Sequence, residues 1–232
     1  MKDGFIKVAA GTPDIKVADC EYNRAEITAL IDKAYAAGVR ILALPELCIT
    51  GYTCQDLFFQ QALLDGALNA LREITEHTAG SDMLISVGCP LRFRGELYNC
   101  AVVLKDGKIL GVVPKKFLPN YNEFYEKRHF TAAPEGQFDI ELFGESVPFG
   151  LGLLFECRAM PELVFAAELC EDVWTMDPPS VSHAKAGATV IANCSASDET
   201  TGKAGYRETL IAGQSARLVC AYIYANAGEG EA

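Results

Sequence analysis

Twice in this 232-residue chain a helical stretch halts at a glycine, and an apolar strand follows at once that ends in polar residues. Asn23 to Ala37 carries Ile27, Leu30, Ile31 and Ala34 at helical spacing, and Gly38 stops it. Val39-Arg40-Ile41-Leu42-Ala43-Leu44 then reads as a buried strand running into Pro45-Glu46. The theme returns where a helix through His183-Ala184-Lys185-Ala186 stops at Gly187 and Ala188-Thr189-Val190-Ile191-Ala192-Asn193 leads toward Ser197. Between the two copies, Gln55 to Ala79 reads as the longest helix, and Met83 to Val87 and Leu97 to Leu104 as strands. Asp106-Gly107-Lys108 is a hairpin turn into Ile109 to Val113. Phe5 to Ala10 supplies a first strand, Ala204 to Ala216 a late helix and Val219 to Tyr224 a last strand. Alternating strands and helices with inserted hairpins specify an α/β layered sandwich in one domain.

Half of the residues are hydrophobic, enough for a large core, and the formal net charge is −11. That charge disfavours nucleic acid or an anionic membrane as a partner. No run of eighteen apolar residues exists to cross a bilayer. The start, Met1-Lys2-Asp3-Gly4-Phe5-Ile6-Lys7, has no secretory apolar segment, so a cytoplasmic setting is expected. The last residues, Ala225 to Ala232, carry no linker signal, and the chain reads as cut short there.

The nine cysteines are Cys20, Cys48, Cys54, Cys89, Cys100, Cys157, Cys170, Cys194 and Cys220. An odd count without a C-x-x-C pair argues against a disulfide framework, and no spacing fits a zinc site. Most lie in apolar runs such as Ile85-Ser86-Val87-Gly88-Cys89, where a thiol is a small core residue. Cys170 differs. It closes the apolar run Glu162 to Cys170, and Glu171-Asp172 and the only tryptophan, Trp174, follow before Pro178-Pro179-Ser180. In α/β proteins reacting groups gather outside the carboxyl ends of strands. Glu46 after Leu44-Pro45, and Lys115 after Gly111-Val112-Val113-Pro114, occupy equivalent ends.

An acid, an amine and a thiol at one sheet edge supply a proton acceptor, a positive charge and a nucleophile. An ammonium lowers a thiol pKa from about 8.5, and a positioned carboxylate acting as general base contributes roughly 10²–10⁴-fold in rate. The ammonium, with the N–H of Glu171, stabilises an oxyanion. The competing readings are a core thiol and two solvated strand-end charges. A cysteine–histidine pair is the other rival. His77 and His183, on helices, are expected to face solvent, which leaves His129 in Lys127-Arg128-His129-Phe130.

Three segments, in order, resemble the motif blocks of the nitrilase superfamily: Pro45-Glu46-Leu47-Cys48-Ile49-Thr50-Gly51-Tyr52, Pro114-Lys115-Lys116-Phe117-Leu118-Pro119 and Glu168-Leu169-Cys170-Glu171-Asp172-Val173-Trp174. Further segments are similar to the glutaminase domains of glutamine-dependent NAD⁺ synthetases. These are Glu46 to Phe58, Pro119 to Arg128, Asn193-Cys194-Ser195-Ala196-Ser197 with Gly202-Lys203, and Ser215-Ala216-Arg217 with Tyr224 to Gly228. The resemblance runs from near Phe5 to the end of the chain. It implies a four-layer αββα nitrilase-like sandwich lacking its last strands, with Glu46 as general base, Lys115 as transition-state stabiliser and Cys170 as nucleophile. Lys115, rather than Lys116, stands where the family has its lysine.

The same resemblance places Tyr121, Glu171, Trp174, Ser197 and Lys203 around the substrate, with Tyr52 in support. Glu126 takes the place of a supporting glutamate, for which Glu123 competes. It implies glutamine as substrate, a synthetase domain as partner, assembly into a homo-oligomer, and no metal or organic cofactor for this part. ATP and Mg belong to a synthetase domain, whose Ser-Gly-Gly phosphate loop is not in this sequence. Two alternatives stand beside this reading: a stand-alone amidase or carbamoylase acting on another small amide, and a non-catalytic scaffold of the same fold.

Overall fold

A computed structural model describes residues 4–228 and Glu231. In chain order it comprises β1 (Lys7–Ala10), α1 (Cys20–Ala36), β2 (Val39–Ala43), α2 (Gln61–His77), β3 (Leu84–Phe93), β4 (Glu96–Lys105), β5 (Lys108–Pro114) and α3 (Glu126–His129). Then come β6 (Gln137–Leu142), β7 (Glu145–Gly150), β8 (Phe155–Cys157), β9 (Met160–Leu169), α4 (Pro179–Lys185), β10 (Val190–Ser195), α5 (Lys203–Leu218) and β11 (Ala221–Asn226). One sheet of seven strands has the order β1-β2-β3-β4-β5-β7-β6, and a second of four has the order β11-β10-β9-β8.

The period-two alternation of each strand builds the layers. Ile41 and Ala43 of β2 face the gap between the sheets, where they join Ala101, Val103 and Val113 against Phe165, Ala167, Leu169, Ala192 and Cys194. Their neighbours Leu42 and Leu44 face the other way, onto Ile27 and Ile31 of α1 and Leu71 and Ile74 of α2. On the second sheet, Ala166 and Ile191 turn outward toward Ala184 of α4 and Cys220. The result is the expected αββα sandwich. Each fully buried large side chain, Phe165 or Ile41 for example, contributes about 1.5–3 kcal/mol of burial. The recurrent alanines leave room for the two sheets to approach.

The structure departs from the sequence reading at several points, among them the β6–β7 hairpin and β8, which that reading did not contain. The helix expected over Gln55 to Ala79 is two pieces: short 3₁₀ turns over Tyr52–Phe59, then α2. Gln55 sits at φ +50° and Gln60 is extended, so the helix cannot run through them. The break is held by tertiary contacts: Phe58 is buried against Phe130, and Asp56 is bonded to Arg128. His183, expected to face solvent, is buried, because its Nε2 bonds the Leu151 carbonyl at 2.8 Å. Besides the expected turn at Asp106 (φ +51°) and Gly107 (φ +73°), Arg94 (φ +51°) and Gly95 (φ +87°) make an equivalent type I′ connection between β3 and β4.

Candidate active site

Glu46, Lys115 and Cys170 each follow the carboxyl end of a strand, β2, β5 and β9 respectively, and all three are buried. The first two belong to the seven-stranded sheet and the third to the four-stranded one, so the site lies across the two sheets. Lys115 is fully enclosed. Its Nζ donates to Glu46 Oε1 at 2.6 Å and to Glu126 Oε1 at 2.5 Å. Glu126, not Glu123, is therefore the second carboxylate; Glu123 is exposed. Tyr52 supports it, its hydroxyl donating to Glu126 at 2.8 Å.

The carbonyl of Asn99, on β4, receives the Lys115 amide at 2.8 Å, and its side-chain Nδ2 donates to Glu46 Oε1 at 2.7 Å. Ala196, just past β10, donates its amide to Glu46 Oε2 at 3.1 Å. The Glu46 carboxylate is thus fixed from three directions, by Lys115, Asn99 and Ala196.

Its backbone is fixed too. The Pro45–Leu47 segment crosses β3 at Gly88, where a Cβ would lie 2.2 Å from the Leu47 nitrogen and 2.3 Å from the Pro45 oxygen. Only a glycine permits that approach. Leu47 and Cys170 both adopt positive φ, +49° and +36°, which is sterically disfavoured for residues with a Cβ. Such outliers mark positions that their surroundings over-determine.

Electrostatics correct one expectation. Lys115 does pull the Cys170 thiol down, as does a hydrogen bond from Ser195, but burial and the Glu46 carboxylate prevail and push it up to about 12. At neutral pH the group is a thiol, and a thiol can act as a nucleophile only with a base to take its proton. The two carboxylates hold the ammonium of Lys115 well above its ordinary value against the cost of burial. Burial raises Glu126, and the neighbouring ammonium opposes that rise.

Cys170 opens onto a cavity of about 410 Å³, within the range of small-molecule sites. Its walls include Tyr121, Glu171, Trp174, Ser197 and Lys203, so every residue expected around a substrate lines it. Tyr121 and Trp174 are wall aromatics rather than core residues, with Tyr121 exposed and Trp174 partly so. The Tyr121 hydroxyl donates to Glu171 Oε2 at 2.8 Å. Lys203 pairs with Asp198 and stands 5.3 Å over the Trp174 ring; burial lowers its pKa. Asn226 anchors Ser197, accepting its amide at 2.8 Å and donating to its carbonyl at 3.0 Å.

The competing residues lie elsewhere. Lys116 reaches Asp177 near the surface, and His129 bonds Asp56. His77 pairs with Asp32. Sequence reasoning left out Asn99, which carries no local signal on a strand, and the cavity walls Phe124 and Tyr206. Among the described residues no three His, Cys, Asp or Glu side chains gather as metal ligands.

The model of the carbon-nitrogen hydrolase family matches residues 7–228, and the chain belongs to that family. It is 41% identical over 228 residues to the glutamine-dependent NAD(+) synthetase of Mycobacterium tuberculosis, an alignment covering 98% of this chain and 34% of that protein. It is 30% identical to the human protein of the same name, over 90% of this chain and 30% of the other. The crystal structure of a glutamine-dependent NAD(+) synthetase from Cytophaga hutchinsonii superposes with a TM-score of 0.85 at 34% identity, covering 96% of this chain and 36% of that one. An amidase from Nesterenkonia sp. shares the fold, with a TM-score of 0.75 at 17% identity over 98% of this chain and 78% of its own. The chain spans about a third of the length of the curated relatives it matches.

Proposed function

We propose that this chain hydrolyses the side-chain amide of glutamine through a thioester on Cys170. The observation that carries the reading is the fully buried Lys115 ammonium, clamped between Glu46 and Glu126 and electrostatically coupled to the buried Cys170 thiol, which lines the cavity. A merely structural role does not explain a buried ion cluster that opens onto a cavity through a thiol.

Glu46 takes the Sγ proton as sulfur attacks the amide carbon. The developing oxyanion is met by Lys115 Nζ and the N–H of Glu171; removing one such donor typically costs about 10²–10³-fold. Glu46 then returns the proton to the departing nitrogen, the C–N bond breaks and ammonia leaves. Water, deprotonated by Glu46, attacks the thioester carbon. Glutamate departs and the proton returns to Sγ. The high thiol pKa suits this order, because the proton moves only when the substrate carbonyl is in place.

The cavity walls account for the choice of amino acid. Glu171, braced by Tyr121, is the acceptor for an α-ammonium group, and Lys203 with Ser197 meets the α-carboxylate. The names of the 41%-identical relatives support glutamine as the substrate. On this reading the ammonia feeds a synthetase domain that uses deamido-NAD and carries the ATP and Mg chemistry, while this domain, residues 1–232, works with side chains alone. A cytoplasmic setting accords with nine unpaired thiols. Homo-oligomer assembly is proposed with α5 as one contact surface, since that sixteen-residue helix buries only Gln214.

Ammonia release from glutamine, measured against a panel of asparagine, acetamide and carbamoyl amino acids, tests the reading. Selective glutamine turnover, lost in Cys170→Ala, is expected. A faster rate on any other amide would replace glutamine as the substrate.

A further inference from the structure

Lys115 and Cys170 sit on different sheets, yet the chemistry proposed above needs them in register to a fraction of an ångström. The backbone segments that carry them are joined by one buried side chain. Asp172 is completely enclosed, two residues beyond the thiol. Its Oδ1 accepts the amides of Lys116 at 3.2 Å and Phe117 at 2.8 Å, the two residues that follow Lys115. Its Oδ2 accepts the amide of Leu169 at 3.0 Å, the residue before the thiol. One carboxylate therefore closes the turn in which Cys170 is held at φ +36° and grips the end of β5 in the opposite sheet.

We propose that Asp172 is a positioning residue that locks the Cys170 turn of one sheet to the Lys115 strand end of the other. The inference rests on the thioester reading, because only that reading requires the two groups to be in register. A carboxylate fits the geometry better than any neutral side chain. Three N–H donors converge on its two oxygens, so both must accept, which an asparagine, with an NH₂ donor in place of one oxygen, cannot do. Burial and the nearby Glu168 carboxyl push the group up to about 8, while the Leu169 and Phe117 amides and Lys115 pull it down. The Lys116–Asp177 pair bridges neighbouring segments at the surface, where screening leaves it little strength, and it serves as the control.

In Asp172→Asn the amide oxygen still accepts from Lys116 and Phe117, but its NH₂ faces the Leu169 N–H and the turn loses its cap. Displacement of a reacting group by about 1 Å costs on the order of 10²-fold in rate.

The test compares wild type, Asp172→Asn and Asp177→Asn. Three quantities are read: iodoacetamide labelling of Cys170, kcat and KM for glutamine, and amide hydrogen exchange. Asp172→Asn is expected to label at least tenfold more slowly and to lose kcat with KM within about threefold. It should also exchange faster in both segments, 115–118 and 169–175. Asp177→Asn is expected to match wild type in all three. Wild-type labelling and kcat in Asp172→Asn, with or without faster exchange, would overturn the proposal while leaving the thioester reading intact. A wild-type Cys170 that never reacts would overturn both. Where Asp172→Asn does not fold, Asp172→Glu, which keeps the charge but moves the oxygens, is read in the same way and is expected to lose kcat at retained KM.

Discussion

A single methyl group on β3 is expected to disable the site without touching a reacting group. In Gly88→Ala the new Cβ would meet the Leu47 nitrogen at 2.2 Å, the Pro45 oxygen at 2.3 Å and the Glu46 carbonyl carbon at 2.7 Å. All three are backbone atoms, so no side chain can swing aside. Restoring ordinary contact moves the Pro45–Leu47 segment by about 1 Å, and with it the Glu46 carboxylate. Overpacking of this kind costs about 1–3 kcal/mol, which in a chain of this size lowers Tm by about 2–4 °C per kcal/mol. A 1 Å misplacement of the base predicts a kcat loss on the order of 10²-fold. The control is Gly66→Ala on α2, where an added Cβ comes no nearer than 3.5 Å to the Cys20 side chain, an ordinary contact, and the helix gains about 1 kcal/mol of propensity. Steady-state kinetics and thermal melts on both variants decide the matter. Wild-type kcat and Tm in Gly88→Ala would refute the claim that this crossing fixes the base.

Other expectations follow from the same geometry. Lys115→Met leaves Glu46 and Glu126 facing each other without a cation, a loss of about 3–5 kcal/mol for a broken buried pair. Burial already raises Glu126 to about 7 against the pull of the ammonium, so without Lys115 it rises further above its unfolded value and the deficit in denaturant melts should grow as pH rises; a pH-independent deficit would contradict the buried cluster. Because burial pushes Cys170 up to about 12, its alkylation rate should keep climbing through the alkaline range, and a plateau at neutral pH would reveal a preformed thiolate. Tyr121→Phe removes the hydroxyl that braces Glu171, so KM for glutamine should rise about three- to tenfold with kcat kept, the worth of one hydrogen bond. An unchanged KM would remove Glu171 from substrate recognition.

The strands that carry Glu46, Lys115 and Cys170 were legible because continuous apolar runs ending in polar residues say both "buried strand" and "strand end". The Gly38 and Gly187 stops and the Asp106-Gly107 turn were legible for the same local reason. What escaped was whatever depends on a partner distant in sequence. The break at Gln55 is held by Phe130 and Arg128, more than seventy residues away, and no helical periodicity reports it. His183 is buried by a carbonyl thirty-two residues earlier. Asn99 is one polar residue on a buried strand, and its role exists only once β4 lies beside β5. Spacing did not decide between Glu126 and Glu123, which three residues separate; the fold turns one onto Lys115 and leaves the other in solvent. The direction of the thiol shift was misjudged for a related reason, since burial depends on the whole sandwich and the charge of Lys115 is shared by two carboxylates.

Mass spectrometry after exposure to an electrophilic glutamine analogue, such as a diazoketone of the amino acid, tests the central claim most directly. One adduct per chain on Cys170 is expected, suppressed by excess glutamine, slowed in Glu46→Gln and absent in Cys170→Ala while the other eight thiols stay unmodified. Labelling spread over several cysteines, or an adduct on Cys170 that glutamine does not suppress, would contradict a single activated thiol in a glutamine site.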